Sequence, residues 1–211
     1  MKKPFTKDIC QEIIKMAERD LAVREELDHK GKLQKYGYHP VMEQVHVKNS
    51  QRLEEIIEMH GFPTLNQVGI DVHQETWLII QHAISNPKFM CDCYNLFLTL
   101  SHEEISVQNI AYLGDRIAFY KRRPQKYGTQ FDYALTGEFG VWWLENKPYV
   151  NEYRAQVGLP PLEVNPLYVN PLDSVSKEEA NKMRSGQEAW LIATGWCSQE
   201  DIDDCLKEYG N

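Results

Sequence analysis

The sequence predicts a mainly α protein, a compact bundle of about five helices with a small β-hairpin and a C-terminal helical appendage. Apolar residues recur at helical spacing through most of the chain up to residue 121. The period changes after Gln130, where two short aromatic-rich runs flank Thr136-Gly137, a pair typical of hairpin turns. Beyond residue 162, a proline-containing stretch leads to two short helical patterns that each open on a serine.

Five helices are expected in the first part of the chain. The first places Asp20 and Arg24 four residues apart, a spacing that favours an i,i+4 pair. The third is expected to begin at Asp71, whose carboxylate can cap the first turn, with Gln74 in the capping-box position. The fourth is apolar nearly all round, which is typical of a buried helix. The third is expected to carry His82 and to end before Ser85, and the other expected ranges are 6–27, 41–60, 87–100 and 106–121.

The second part of the chain predicts a hairpin, a short helix and a separate C-terminal segment. We expect a core domain at 1–162 and a tethered helical segment at 163–211 that packs on the core, with Pro166 and Pro171 in the tether. Trp190 and Trp196 would be exposed on a free tail, so packing or a protein partner must cover them. The other expected elements are strands at 131–135 and 139–144 and helices at 151–158, 176–194 and 198–209.

Composition and charge exclude several classes of function. The 211 residues contain 31 acidic and 23 basic side chains, a net charge of −8 that argues against non-specific nucleic-acid binding. No apolar run approaches the roughly 20 residues that span a bilayer, so we expect no membrane partner. The first eight residues contain no apolar signal stretch, which predicts a cytoplasmic location. Secretion by a route that reads no N-terminal signal stays open.

The cysteines and histidines predict neither disulfides nor a metal site. Five cysteines, an odd number, indicate reduced thiols. Cys91 and Cys93 are one residue too close for a zinc knuckle, and we expect both to be core thiols. His46, His73 and His82 do not show a metal-binding spacing either. We therefore expect no metal and no cofactor.

The segment 123–130 is the most informative stretch of the chain. Two glutamines, a tyrosine, a threonine and a glycine stand within six residues, between a proline and the apolar Phe131. One interpretation is a loop organised around a polar pocket. The other is a turn that leads into the hairpin, with Gly128 supplying a positive φ and the amides in solvent. Both interpretations are compatible with the composition.

Several motifs together resemble a bacterial family of uncharacterised helical proteins. They include Gln81-His82-Ala83, Asp115-Arg116, residues 125–130 and the stretch 157–162. The resemblance covers roughly the first three-quarters of the chain and departs from the family pattern at Gly114, where a small hydroxyl residue is expected. It implies a shared site but no established activity.

The motif residues support two hypotheses of different classes. In the first, the protein is a small cofactor-independent enzyme acting on a small polar molecule. His82 is the general base, Asp115 orients its imidazole, and Tyr127 serves as acid or oxyanion donor. Arg116 would suit a carboxylate or phosphate on the ligand. The ligand-binding residues in this hypothesis are Gln81, Arg116, Gln125, Thr129 and Gln130.

In the second hypothesis the protein is a non-catalytic ligand-binding or protein-interaction module. The same polar residues would then satisfy one another in a hydrogen-bond network that holds the fold, because buried polar groups are costly without partners. A lone histidine on an apolar helix, such as His82, is more often a satisfied core residue than a catalyst. A cleft that solvent can reach would favour the enzyme, and a sealed network would favour the module.

Overall fold

The computed structural model describes residues 2–32, 38–134, 136–163 and 174–209, and this part of the chain is mainly α-helical with one two-stranded hairpin. It forms two compact units, Met1–Ser106 and Val107–Asn211. The predicted tether lies outside the described residues from position 164 to 173, and the predicted boundary at residue 162 stays a prediction. Among the described residues, no helix combines the length and apolar character needed to cross a bilayer.

The first unit consists of four helices that follow one another along the chain. Helix α1 packs against α2 and α3, α2 packs against α3, and α3 contacts α4. Two helices have side-chain caps, since Thr6 accepts a hydrogen bond from the backbone of α1 and Asn86 accepts one from that of α4. The four helices are α1 (Lys7–His29), α2 (Pro40–His60), α3 (Leu65–His82) and α4 (Pro87–Phe97).

Helix α3 begins earlier than the sequence predicts, and the reason is a glycine kink. Thr64 caps the helix in a capping box with Gln67, and the first helical residue, Leu65, lies six positions before the predicted start near Asp71. Gly69 then interrupts the helix with a φ of 79° and a ψ of 171°, values that a glycine adopts without strain. The predicted start therefore corresponds to the second part of a kinked helix.

The second unit combines a helix, the hairpin and the C-terminal helices. Strands β1 (Phe131–Tyr133) and β2 (Phe139–Val141) pair antiparallel, with Phe131 opposite Val141 and Tyr133 opposite Phe139. A 3₁₀ turn at Lys147–Tyr149 leads directly into α6. The helices of this unit are α5 (Val107–Tyr120), α6 (Val150–Gln156), α7 (Lys177–Thr194) and α8 (Gln199–Tyr209).

The C-terminal helices pack within the second unit through aromatic side chains. The ring of Tyr120 on α5 lies 6.0 Å from that of Trp190 and 5.0 Å from that of Trp196. Cys205 of α8 joins Phe119 and Trp142 in a buried apolar cluster. The tryptophans that would be exposed on a free tail thus have packing partners on α5.

Gly128 tests how tightly the segment 123–130, which we call the motif loop, is packed. We expect Gly128→Ala to destabilise the second unit by roughly 1–3 kcal/mol, since overpacking adds to the strain of a positive φ. The φ is 68°, and a Cβ there would lie 2.5 Å from a methyl carbon of Leu162. Gly186→Ala is the matched control, because that glycine lies inside α7 with no atom near the added carbon. This control substitution should stabilise the second unit by about 0.5–1 kcal/mol. Hydrogen exchange of amides in the second unit measures both changes in the free energy of unfolding. A Gly128→Ala protein that is as stable as the wild type would contradict the close packing around Gly128.

Candidate metal centre

Helix α1 carries one acidic residue on its apolar face. The buried side chains of α1 are Ile13, Ala17, Asp20, Val23 and Leu27, a continuous stripe at helical spacing. Asp20 is completely buried in this stripe, whereas Arg24, its predicted i,i+4 partner, is exposed. The predicted i,i+4 pair is therefore wrong, because the carboxylate of Asp20 points into the bundle.

Two histidines from two other helices contact the Asp20 carboxylate. Nε2 of His46, on α2, lies 3.0 Å from Oδ1, and Nδ1 of His82, at the end of α3, lies 2.8 Å from Oδ2. The two imidazole rings are 4.9 Å apart between centroids. On its other side, His46 Nδ1 bonds the hydroxyl of Tyr38. We call Asp20, His46 and His82 the His–Asp–His cluster.

The contacts define where the protons lie. Burial opposes ionisation of Asp20, but hydrogen bonds from His46 and His82 outweigh it and hold the pKa of this carboxyl well below its ordinary value. An ionised carboxylate only accepts hydrogen bonds, so both contacting nitrogens carry a proton. In neutral rings, Nδ1 of His46 and Nε2 of His82 are then acceptors, and the Tyr38 hydroxyl donates to the former.

The cluster is approachable from one side. The side chain of His82 is 24% exposed, that of His46 is 8% exposed and that of Asp20 is fully buried. Among the described residues, Nε2 of His82 has no hydrogen-bond partner. A small molecule would therefore reach the cluster through His82.

The three side chains also match the requirements of a metal site. Their candidate ligand atoms, one from each residue, all lie within 4.8 Å of one another. A zinc ion about 2.0–2.2 Å from each ligand places tetrahedral ligand atoms roughly 3.3 Å apart. The two imidazole nitrogens lie 3.0 and 2.8 Å from different oxygens of Asp20, and the three ligand atoms are up to 4.8 Å apart, so the side chains would have to rearrange to surround one ion. Sites of this kind occur in helical bundles, where facing helices each contribute a ligand.

Sequence spacing could not identify this cluster, because Asp20 is separated from His46 by 26 positions and from His82 by 62. A different signal is present. An ionisable residue interrupts an otherwise apolar stripe on α1, and the buried face of α2 carries His46 one turn after Met42. Since a buried charge needs a partner, two such residues on neighbouring helices would have predicted a contact.

Asp115, in the second unit, accepts hydrogen bonds from the motif loop. Its Oδ1 accepts a hydrogen bond from the backbone N–H of Lys126 at 2.9 Å. Its Oδ2 accepts hydrogen bonds from both the N–H and the hydroxyl of Thr129, each at 3.0 Å. The N–H of Tyr127 lies 3.1 Å from each oxygen. Burial raises the pKa of the Asp115 carboxyl, and these donors act in the opposite direction. The carboxylate fixes the backbone of the loop.

Two further buried side chains hold the same loop. Gln125 donates to the backbone oxygens of Gln130 and Trp142, at 2.8 and 3.0 Å, and accepts from the N–H of Gln130 at 2.8 Å. Arg154 donates to the carbonyls of Pro160 and Tyr127, both at 2.6 Å. All of these partners are backbone groups, as expected for a loop that is rigid in the folded protein.

The remaining predicted site residues differ in their surroundings. The side chain of Gln130 donates to Thr129 at 3.1 Å, so it takes part in the same loop. The ring of Tyr127 is half-buried, with the Lys126 ammonium 5.4 Å from its centre. Gln81 and Arg116 both have interactions in the structure. His82 and Gln81 lie in the first unit, and all the other predicted site residues lie in the second.

Comparisons with known proteins identify a family but no activity. A model described as a family of unknown function (DUF6624) matches residues 7–174, which include the whole His–Asp–His cluster and the motif loop. Neither the curated proteins nor the solved structures contain a significant match to this chain.

Proposed function

This chain belongs to the DUF6624 family of unknown function, and we propose that its Asp20, His46 and His82 bind a divalent transition-metal ion. One observation carries the proposal: three helices bring two imidazole nitrogens and one carboxylate together in the interior of the first unit. Three converging ionisable groups are costly to bury unless they serve one another or a ligand. The proposal departs from the expectation of no metal, which rested on sequence spacing alone.

The ligand set favours particular ions. Imidazole nitrogens suit zinc, iron, cobalt and copper, whereas magnesium and calcium prefer oxygen ligands. Two histidines with one carboxylate occur in catalytic zinc sites and in non-haem iron(II) enzymes, both of which keep open coordination positions. The partly exposed side of His82 is where such positions would be reached. We therefore propose a metal-dependent enzyme acting on a small polar molecule.

Direct binding measurements test the metal site. We expect metal-stripped protein to bind Zn²⁺ and Co²⁺ but not Mg²⁺, as measured by calorimetry and by the visible absorption of bound Co²⁺. At a hundredfold excess over Kd, an ion stabilises the folded state by about 2.7 kcal/mol. This corresponds to a rise in Tm of roughly 5–10 °C. Equal responses to Zn²⁺ and Mg²⁺, or no response to either, would contradict the site.

Two substitutions separate metal binding from folding. Asn places an amide nitrogen near Nδ1 of a histidine, and Gln places one near Nε2. His82→Asn and His46→Gln therefore keep a donor for Asp20, yet an amide nitrogen does not bind these ions. Both variants should fold and lose the response to Zn²⁺. His102→Gln, at an exposed position of the same unit, is the matched control and should bind as the wild type does.

A metal-free enzyme is the second candidate, and the 2.8 Å contact between Asp20 and His82 favours it. A carboxylate bonded to Nδ1 orients an imidazole so that Nε2 can accept a proton from a substrate. This is the general-base role predicted for His82, with Asp20 as the orienting carboxylate. A metabolite that stabilises the protein equally with and without a chelator, but does not stabilise His82→Asn, would favour this candidate over the metal site.

Other predictions from the sequence have not been tested by these findings. They include the roles of Asp115 and Tyr127 in catalysis, ligand binding by the motif loop, a cytoplasmic location and a protein partner for the C-terminal segment. The contacts of Asp115 and Gln125 support the alternative in which the motif residues form a structural network, since their partners are mostly backbone groups. We propose that structural role for the loop.

A further inference from the structure

Tyr38 contacts the His–Asp–His cluster from the side opposite Asp20. Its hydroxyl bonds Nδ1 of His46, and its ring lies 5.6 Å from that imidazole in a stacked arrangement. The ring also packs against a buried apolar cluster formed by Val23, Leu27 and Met42. Two independent sets of contacts therefore hold Tyr38: apolar packing holds its ring, and His46 engages its hydroxyl.

Metal binding requires His46 to change its tautomer. Without an ion, Nε2 of His46 carries the proton that is donated to Asp20, and Nδ1 accepts from Tyr38. A metal ion binds the lone pair of a deprotonated nitrogen, so Nε2 must lose its proton. In a neutral ring the proton then resides on Nδ1, which becomes a donor.

A tyrosine hydroxyl satisfies both tautomers, because it can donate to Nδ1 and can also accept from it. Serine, threonine and water share this property, but phenylalanine has no polar atom and a lysine ammonium only donates. Histidines that ligate metals almost always donate their second N–H to a partner, which fixes the ring and raises its basicity. Tyr38 is in the position of such a partner.

We propose that Tyr38 is a positioning residue that supports the tautomer of His46 required for metal binding. This inference rests on the proposed metal site, which it deepens. The Tyr38 hydroxyl first donates a hydrogen bond to Nδ1 of His46. On metal binding the proton leaves Nε2, Nδ1 takes up a proton, and the hydroxyl rotates to accept a hydrogen bond from Nδ1–H. The imidazole consequently keeps a hydrogen bond in both states, and its Nε2 stays directed at the cluster.

Tyr38→Phe isolates this role, because phenylalanine preserves the packing against Val23, Leu27 and Met42. We expect the variant to fold and to bind Zn²⁺ about 10- to 100-fold more weakly than the wild type. Tyr149→Phe, at an exposed position of the second unit, should bind as the wild type does. In ¹⁵N spectra, His46 of the wild type should change from the Nε2–H to the Nδ1–H tautomer when Zn²⁺ is added.

The possible results contradict different parts of the proposal: the role of Tyr38, the tautomer change of His46 or the metal site itself. Wild-type affinity in Tyr38→Phe would overturn the positioning role while leaving the metal site intact. A His46 that is already in the Nδ1–H form without metal would overturn the tautomer change. If the wild type binds no ion, the metal site itself fails and the role of Tyr38 fails with it. A parallel loss in Tyr38→Phe and Tyr149→Phe would also contradict a specific role for Tyr38.

Discussion

Replacing Asp20 by alanine should destabilise the first unit by about 3–5 kcal/mol, because it removes a charged hydrogen-bond acceptor that two histidines share. The carboxylate is fully buried and accepts from both His46 and His82. Without it, the imidazole N–H groups of buried His46 and partly exposed His82 lose their acceptor, and a small cavity forms. Asp20→Asn should have a smaller effect, since its remaining oxygen can still accept one of the two bonds.

The measurement must report on the first unit alone, because a protein with two units need not unfold in one step. Native-state hydrogen exchange of core amides in α1 and α2, with a chelator present, gives that local free energy. Asp28→Ala, at an exposed position of the same helix, should change it by no more than about 0.5 kcal/mol. If Asp20→Ala leaves the stability of the first unit unchanged or raises it, the free-energy cost of removing water from the carboxylate exceeds the benefit of its hydrogen bonds.

The sequence predicted the helices well because their signals are local. The apolar period identified α1, α2 and α5 within a few residues of their observed ends, and serine correctly marked the start of α7. The beginning of α3 was misplaced, since a capped first turn and a glycine kink precede the strongly periodic part. Local patterns can predict such elements, but they do not distinguish a kinked helix from a shorter one.

The candidate site was predicted only in part because its chemistry depends on contacts between distant segments. His82 was identified from its polar character on an apolar helix, but its partners Asp20 and His46 were not. The four-residue spacing of Asp20 and Arg24 suggested an i,i+4 pair, although the apolar stripe through position 20 places Asp20 in the core. Which face of a helix is buried depends on the whole stripe, and one pair of charges cannot determine it.

The other large effect is expected at Asp115, where an asparagine should destabilise the second unit by about 3 kcal/mol. The carboxylate receives the N–H groups of Lys126, Tyr127 and Thr129. An amide nitrogen in place of one oxygen would face these donors and leave buried N–H groups unsatisfied. Thr129→Val removes only the hydroxyl bond and should lower stability by about 1 kcal/mol.

The effects of Asp115→Asn distinguish a structural role of the motif loop from a catalytic one. If Asp115 only fixes the loop, hydrogen exchange at the amides of Lys126, Tyr127 and Thr129 should accelerate roughly 100-fold in Asp115→Asn, as a loss of about 3 kcal/mol implies. Metal binding by the first unit should then be unchanged. If the variant instead keeps its stability and loses the response to a stabilising metabolite, Asp115 contacts that ligand or the groups that bind it, and the structural role proposed for the motif loop is wrong.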